Sequence, residues 1–133
     1  MSNNMNLVGR RVLLVDDSST IRRCVEIFLG EAGCEVMLAD DGFDALAKLS
    51  EFDPDLIFVD VLMPRLNGYQ TCALIKGSDK HKDTPVIMLS GKDNAFDRAR
   101  GRTVGANAYL TKPFSKENLL RAVEANPSNH GHA

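Results

Sequence analysis

The sequence predicts an α/β protein, a doubly wound five-stranded parallel sheet in the order 2-1-3-4-5. Three observations predict it. Short apolar runs rich in β-branched residues recur along the chain. Between them, apolar residues recur at helical spacing, so strand and helix alternate five times. The first and third runs end on carboxylates, which are costly to desolvate and so belong at the open C-terminal edge of a buried sheet. In the order 2-1-3-4-5, one of the two common for such chains, strands one and three meet at the switch point where ligands bind.

The third run, Leu56-Ile57-Phe58-Val59-Asp60, is the centre of this reading. Its four successive apolar residues describe a strand buried on both faces, and a turn signal follows at Met63-Pro64 and Asn67-Gly68. Asp60 at the open end reads as a nucleophile. The plainer alternative is an Asp that only stops the strand or caps a turn.

With 133 residues the chain has enough for one domain with a real core and too few for two ordinary ones. A net charge of -2 gives no global electrostatic case for nucleic-acid binding. No apolar run approaches the roughly 20 residues that span a bilayer. The polar start, Met1 to Asn6, lacks the basic and apolar regions of an export signal. Cys24, Cys34 and Cys72 have no CxxC spacing and fall in or beside apolar elements, as small core residues of a reducing compartment do. A cytoplasmic monomer is expected, without nucleic-acid binding or membrane insertion.

In order, residues 1–9 show no periodicity and are expected to form a flexible extension. One domain over 10–125 and a frayed tail over 126–133 follow. Arg11 to Val15 is the first strand and runs into Asp16-Asp17. Ser18, Ser19 and Thr20 are candidate caps for a helix with the stripe Ile21, Cys24, Val25, Phe28 and Ala32, ended by Gly33. Glu35 to Ala39 is the second strand, and Asp40-Asp41-Gly42 the turn before a helix from Phe43 to Ser50 that stops before Pro54. A third helix, about Gly68 to Lys76, puts Tyr69, Cys72 and Ile75 on one side. A polar loop follows, in which His81 has no evident partner. Pro85 to Leu89 is the fourth strand, its proline where no ladder donor is lost, and it ends on Ser90-Gly91. The fourth helix, about Asn94 to Val104, has a thin stripe (Phe96, Ala99) and two weakening glycines, Gly101 and Gly105. Such an element suits the low local stability that switching requires. Ala108 to Leu110 is a short fifth strand, and Ser115 caps a last helix carrying Leu119, Leu120 and Val123.

Asp16, Asp17 and Asp60 at neighbouring strand ends repel, and their pKa values rise unless something positive sits among them. A hard cation answers this. Mg²⁺, with Mn²⁺ as a substitute, takes a few carboxylates, a carbonyl and waters, and leaves positions for phosphoryl oxygens. The constellation suits phosphoryl transfer to a carboxylate. Asp16-Asp17 can at the same time cap the first helix. Ser90 offers a hydroxyl to a phosphoryl oxygen, and Lys112, after strand five, a point charge. Each alone would read as a turn cap or a solvated lysine; together, four of five strand ends supply parts for one site.

Val15-Asp16-Asp17, Val59-Asp60 with Met63-Pro64 beyond it, Ser90 and Lys112-Pro113 resemble the receiver domain of two-component response regulators, a flavodoxin-like fold, over about residues 10–125. The resemblance implies that Asp60 accepts phosphate from a histidine kinase. It implies that Asp16 and Asp17 hold Mg²⁺ (Asp17 more directly), with the Leu62 backbone carbonyl as a further ligand. By the same resemblance Lys112 contacts the phosphoryl group, Ser90 moves to bind it, and Tyr109 is the switch aromatic that turns inward behind Ser90. The Lys112–Pro113 bond is expected to be cis. Such a protein is a switch rather than an enzyme, catalysing at most its own phosphorylation and dephosphorylation. Asn67 stands where receivers usually carry Asp, and either residue makes the turn. Leu62 and Lys92 occupy positions that in receivers flank the phosphoryl group. Leu62 cannot hydrogen-bond an attacking water, so a long-lived phosphate is expected.

The runs Asp41-Gly-Phe-Asp-Ala-Leu-Ala-Lys48, Met63-Pro-Arg-Leu-Asn-Gly-Tyr-Gln-Thr-Cys-Ala-Leu-Ile-Lys76 and Thr111-Lys-Pro-Phe-Ser-Lys116 resemble more narrowly the single-domain regulators of twitching motility. Those belong to the chemosensory system that controls type IV pili. This implies a chemosensory histidine kinase as donor and a pilus motor or regulatory protein as effector. No residues are left for an output domain, so the signal is expected to leave through helix four, strand five and helix five around Tyr109. Arg98, Arg100 and Arg102, with Lys92, make that face basic: a solvated helix, or a docking patch for an acidic partner. The alternative function is a phosphate sink or relay, in the same or a flagellar chemotaxis pathway. A Mg²⁺-dependent phosphatase is disfavoured because Leu62 stands where a second acid is wanted. A flavin module is disfavoured because Asp16-Asp17 would repel the cofactor. His130 and His132 have no third ligand in reach for a metal.

Overall fold

The computed structural model describes residues 7–91 and 95–127. Strands β1 (Arg11–Val15), β2 (Glu35–Ala39), β3 (Leu56–Asp60), β4 (Val86–Ser90) and β5 (Ala108–Thr111) alternate with helices. These are α1 (Ser19–Glu31), α2 (Gly42–Phe52), α3 (Gly68–Lys76), α4 (Ala95–Thr103) and α5 (Lys116–Ala125). The strands form one parallel sheet in the expected order, β2-β1-β3-β4-β5. Val15 pairs with both Ala39 and Val59, and Asp60 with Leu89, so the C-terminal ends of β1 and β3 lie side by side.

β3 and β4 are buried along their whole length, which is why their sequences read as continuous apolar runs. Successive residues divide between two cores, as a period of two requires. Leu13, Val15, Ile57, Val59 and Met88 pack with Leu49, Phe52, Cys72 and Ile75. Val12, Leu14, Phe58, Ile87 and Leu89 pack with Val25 and Leu29 of α1 and Leu119 and Val123 of α5.

Caps place the helix starts. Ser18 caps α1, Asp41 caps α2, and Asn67 and Ser115 form capping boxes with Gln70 and Asn118. Asn67 thus makes its turn without the usual Asp. Gly33, at φ +92, follows the end of α1 as expected. Helix α2 runs to Phe52, beyond the expected Ser50, because the left-handed Asp53 (φ 53) closes it and only then does Pro54 intervene.

Two expectations fail and a third shifts. The extension expected over residues 1–9 is already packed at Leu7, which is 0% exposed in the α1/α5 core. The Gly9 N–H donates to the Gly33 carbonyl, and the Arg10 N–H to the Leu7 carbonyl. Met5, Leu7 and Val8 are too few to carry a periodicity, so only the docking of Leu7 reveals it. His81 is likewise no solvated loop residue. It is 2% exposed, with Nδ1 3.2 Å from Thr84 Oγ1 and Nε2 3.7 Å from Asp53 Oδ1. At the other end, Asn126, expected to fray, caps α5, and its carbonyl accepts from Arg10. Asn94 and Lys92, expected at and before the start of α4, and His130 and His132 lie outside the described residues. Among the described residues, no helix is long and apolar enough to cross a membrane.

Candidate functional site

At the C-terminal edge of the sheet, Asp16, Asp60 and Ser90 are buried among apolar strand ends, and Asp17 is exposed. Buried carboxylates need partners. Lys112, just after β5, reaches across the edge and donates from Nζ to Asp16 Oδ2 at 2.8 Å and to Asp60 Oδ1 at 3.1 Å. Its backbone N–H donates to the Ser90 carbonyl at 2.7 Å, which registers the lysine against the end of β4. The following Lys112–Pro113 bond is cis, as expected. Asp16 Oδ1 accepts from the Ser18 N–H at 2.9 Å, tying the carboxylate to the start of α1.

Burial pushes the Asp60 carboxyl above the ordinary Asp range, and the charge of Asp16 adds to it. The charge and hydrogen bond of Lys112, and a hydrogen bond from the Leu62 backbone, pull it only partly back. For the Lys112 ammonium, burial acts downward. The bond and charge of Asp16, then those of Asp60, outweigh burial and leave its pKa above the usual lysine value.

One carboxylate oxygen from each of Asp16, Asp17 and Asp60 lies within 4.8 Å of the other two. The donor set is all hard oxygen. Mg²⁺ takes hard oxygen ligands of this kind, carboxylates above all, so the chemistry of the donor set fits the cation. Leu62, whose backbone was expected to add a ligand, turns its side chain outward at 73% exposure.

Two contributors escaped the sequence reading. Gly68 opens α3 directly against the end of β3. A Cβ there would stand 2.2 Å from the Asp60 carbonyl oxygen and 2.7 Å from Val61 Cα, so no side chain fits without moving the backbone under Asp60. Asn67-Gly68 was legible as a turn, but not as a close approach. Arg22 is the second: its Nη1 donates to the Asp16 carbonyl at 2.7 Å. In sequence it is one arginine among polar positions of an amphipathic helix.

Tyr109 is half-buried, paired with Met88, with the Arg98 guanidinium 4.8 Å above its ring. Nearby, the buried Tyr69 hydroxyl donates to the Asp97 carbonyl at 3.4 Å, and Arg100 stacks over the Tyr69 ring at 4.4 Å. Burial, then the nearby Asp97 and Tyr109, push the Tyr69 pKa up to about 12. Arg98 and Arg102 line a groove with Gly101 and residues 106–109. The basic run of α4 is therefore partly engaged by two tyrosines rather than simply solvated.

A parallel sheet of this order with an acid cluster and a lysine across its edge defines a response regulator receiver domain. Residues 12–124 match that family, and the chain belongs to it. It is 61% identical over 117 residues to Protein PilG of Pseudomonas aeruginosa, covering 88% of this chain and 87% of that one. It is also similar to the chemotaxis protein CheY4 of Vibrio cholerae: 37% identity, TM-score 0.87, 90% of this chain and 99% of that chain. A Francisella response regulator receiver domain matches at 32% identity and TM-score 0.80, over 88% of this chain and 95% of that one. The chain is thus a phosphoacceptor switch by family.

Proposed function

We propose that Asp60 is the phosphoacceptor, served by Asp16, Asp17, Lys112 and Ser90, and that the switch acts in a chemosensory pathway controlling type IV pili. The observation that carries the site is the contact of Lys112 Nζ with both Asp16 and Asp60 beside a cluster of three carboxylates. An Asp60 oxygen attacks phosphorus, the bond to the donor's imidazole nitrogen breaks, and that nitrogen keeps the electron pair. Asp16, Asp17 and Asp60 would hold Mg²⁺, with the Leu62 carbonyl as a further ligand. When bound, the cation supplies charge neutralisation between acceptor carboxylate and phosphoryl oxygens. Lys112 keeps a positive charge at the acceptor throughout. Ser90, at the end of the neighbouring strand, supplies a hydroxyl to the new phosphoryl group, and Tyr109 follows it inward.

The proposed donor is a chemosensory histidine kinase, and the proposed effector a pilus motor or regulatory protein engaging the α4-β5-α5 face. A kinase of that kind places the chain in the cytoplasm. The pilus assignment is supported by the three sequence runs that resemble twitching regulators and by the identity to Protein PilG.

Intact mass spectrometry after incubation with Mg²⁺ and acetyl phosphate tests the acceptor. One added phosphoryl group is expected, absent in Asp60→Ala and absent without Mg²⁺. A phosphoryl group that persists in Asp60→Ala would move the acceptor elsewhere. Slow decay of the adduct supports a switch, and rapid loss without a phosphorylation-dependent partner supports a sink.

A further inference from the structure

Asp17 is the weakly held member of the acid cluster. The Asp16 carboxylate is tied by Ser18 and Lys112, and that of Asp60 by Lys112. Among the described residues, no hydrogen bond or ion pair holds the Asp17 carboxylate, and the residue is exposed. Its aim depends on the backbone that carries it.

That backbone lies just past the sheet. β1 pairs with β2 and β3 only as far as Val15. The Asp16 N–H still reaches the Ala39 carbonyl at 3.1 Å, but the Asp16 carbonyl lies beyond both ladders and needs another donor. Arg22 supplies it at 2.7 Å. Arg22 stands in the first turns of α1, its own N–H bonded to the Ser18 carbonyl, and helical side chains lean toward the N-terminus. It therefore reaches back over the turn it helps to close. The peptide between Asp16 and Asp17 is planar, so holding the carbonyl of one holds the N–H and Cα of the other, the point from which the Asp17 side chain leaves. Among the described residues Arg22 makes no ion pair, so this backbone carbonyl is the partner its position serves.

We infer that Arg22 is a positioning residue of the site: through the Asp16 carbonyl it aims the Asp17 carboxylate at the cation shared with Asp60. The inference rests on the proposed function, since it presupposes that Asp16, Asp17 and Asp60 bind Mg²⁺. Outer partners of metal ligands typically contribute ten- to a hundredfold in affinity. Isothermal titration of Mg²⁺ into unphosphorylated protein reads the effect without phosphotransfer. Arg22→Met should weaken Mg²⁺ binding about tenfold, the low end of that range, because it acts through backbone. Arg22→Lys, which keeps a cationic donor, should recover part of the loss. Arg23→Met removes the same charge from the next, exposed position and should bind like the parent. In phosphorylation by acetyl phosphate, the Mg²⁺ midpoint should rise in Arg22→Met while the rate at saturating Mg²⁺ stays near that of the parent. Equal affinities for parent, Arg22→Met and Arg23→Met would overturn the inference and leave the proposed function standing. A parent without Mg²⁺ binding would overturn both. If Arg22→Met does not fold, Arg22→Ala, which also removes the donor, carries the test, and parental affinity there would overturn the inference.

Discussion

Asp60 carries a cost of its own, because burial and the Asp16 charge disfavour its ionised form. The folded pKa lies above that of an unfolded Asp, about 3.9. Between those two values the folded state holds more protons than the unfolded one, so stability falls as pH rises through that window. Above it the penalty is complete. Asp60→Asn cannot ionise and should melt a few degrees higher than the parent at pH 7, with the difference shrinking toward zero as pH is lowered to the unfolded value. A gap that stays constant with pH would assign it to something other than the carboxylate's charge. Two residues after this proposed acceptor, Leu62 presents an exposed apolar side chain. Leu62→Asn gives an attacking water a hydrogen-bonding partner and should shorten the phosphate lifetime severalfold, measured as loss of adduct mass. A lifetime no shorter than the parent's would remove that explanation.

Among the helices, two glycines make opposite demands. Gly68, at the head of α3, faces backbone atoms of Asp60 and Val61 closer than any real Cβ contact. Gly68→Ala should cost about 2–3 kcal/mol in urea denaturation, in the range of overpacked cores, and should slow phosphorylation by displacing the acceptor. Gly101, in the middle of α4, would place a Cβ 3.7 Å from Ala106 and Met88, an ordinary contact. Gly101→Ala should therefore stabilise by up to about 1 kcal/mol, the helix-propensity difference. α4 buries Gly101 alone, whereas α1 and α5 bury Val25, Leu29, Leu119 and Val123. Its amides should exchange with deuterium ahead of theirs, as befits an element that moves on switching. Equal protection of the three helices would count against that role.

For the whole molecule, the proposed cation site would link metal binding to folding. A ligand that binds only the folded state stabilises it by about 2.7 kcal/mol at a hundredfold excess over its Kd. Mg²⁺ should accordingly raise the melting temperature of the parent, and Asp17→Asn, which removes the exposed carboxylate of the cluster, should lose most of that rise. A full rise in Asp17→Asn would place the cation elsewhere.

Period-two burial, helical stripes and capping residues are local, so the residues themselves determined five strands, five helices and which strand ends carry carboxylates. Ser18, one of three candidate caps, and Ser115 were legible for the same reason, since a cap acts within a few residues of itself; Asn67 was legible as a turn. The adjacency of Asp16 and Asp17 to Asp60 was inferred from strand order, and the matching motifs added Lys112. What spans elements only the tertiary structure decided. Leu7 docks under α1 and α5 from a stretch without periodicity, His81 is buried by a loop that reads as polar, and Gly68 is required by a backbone it does not neighbour in sequence. The Lys112 bridge, the bond from the Tyr69 hydroxyl to the Asp97 carbonyl, and the reach of Arg22 to Asp16 belong to the same group. Each depends on distances across the fold, which composition and periodicity do not encode.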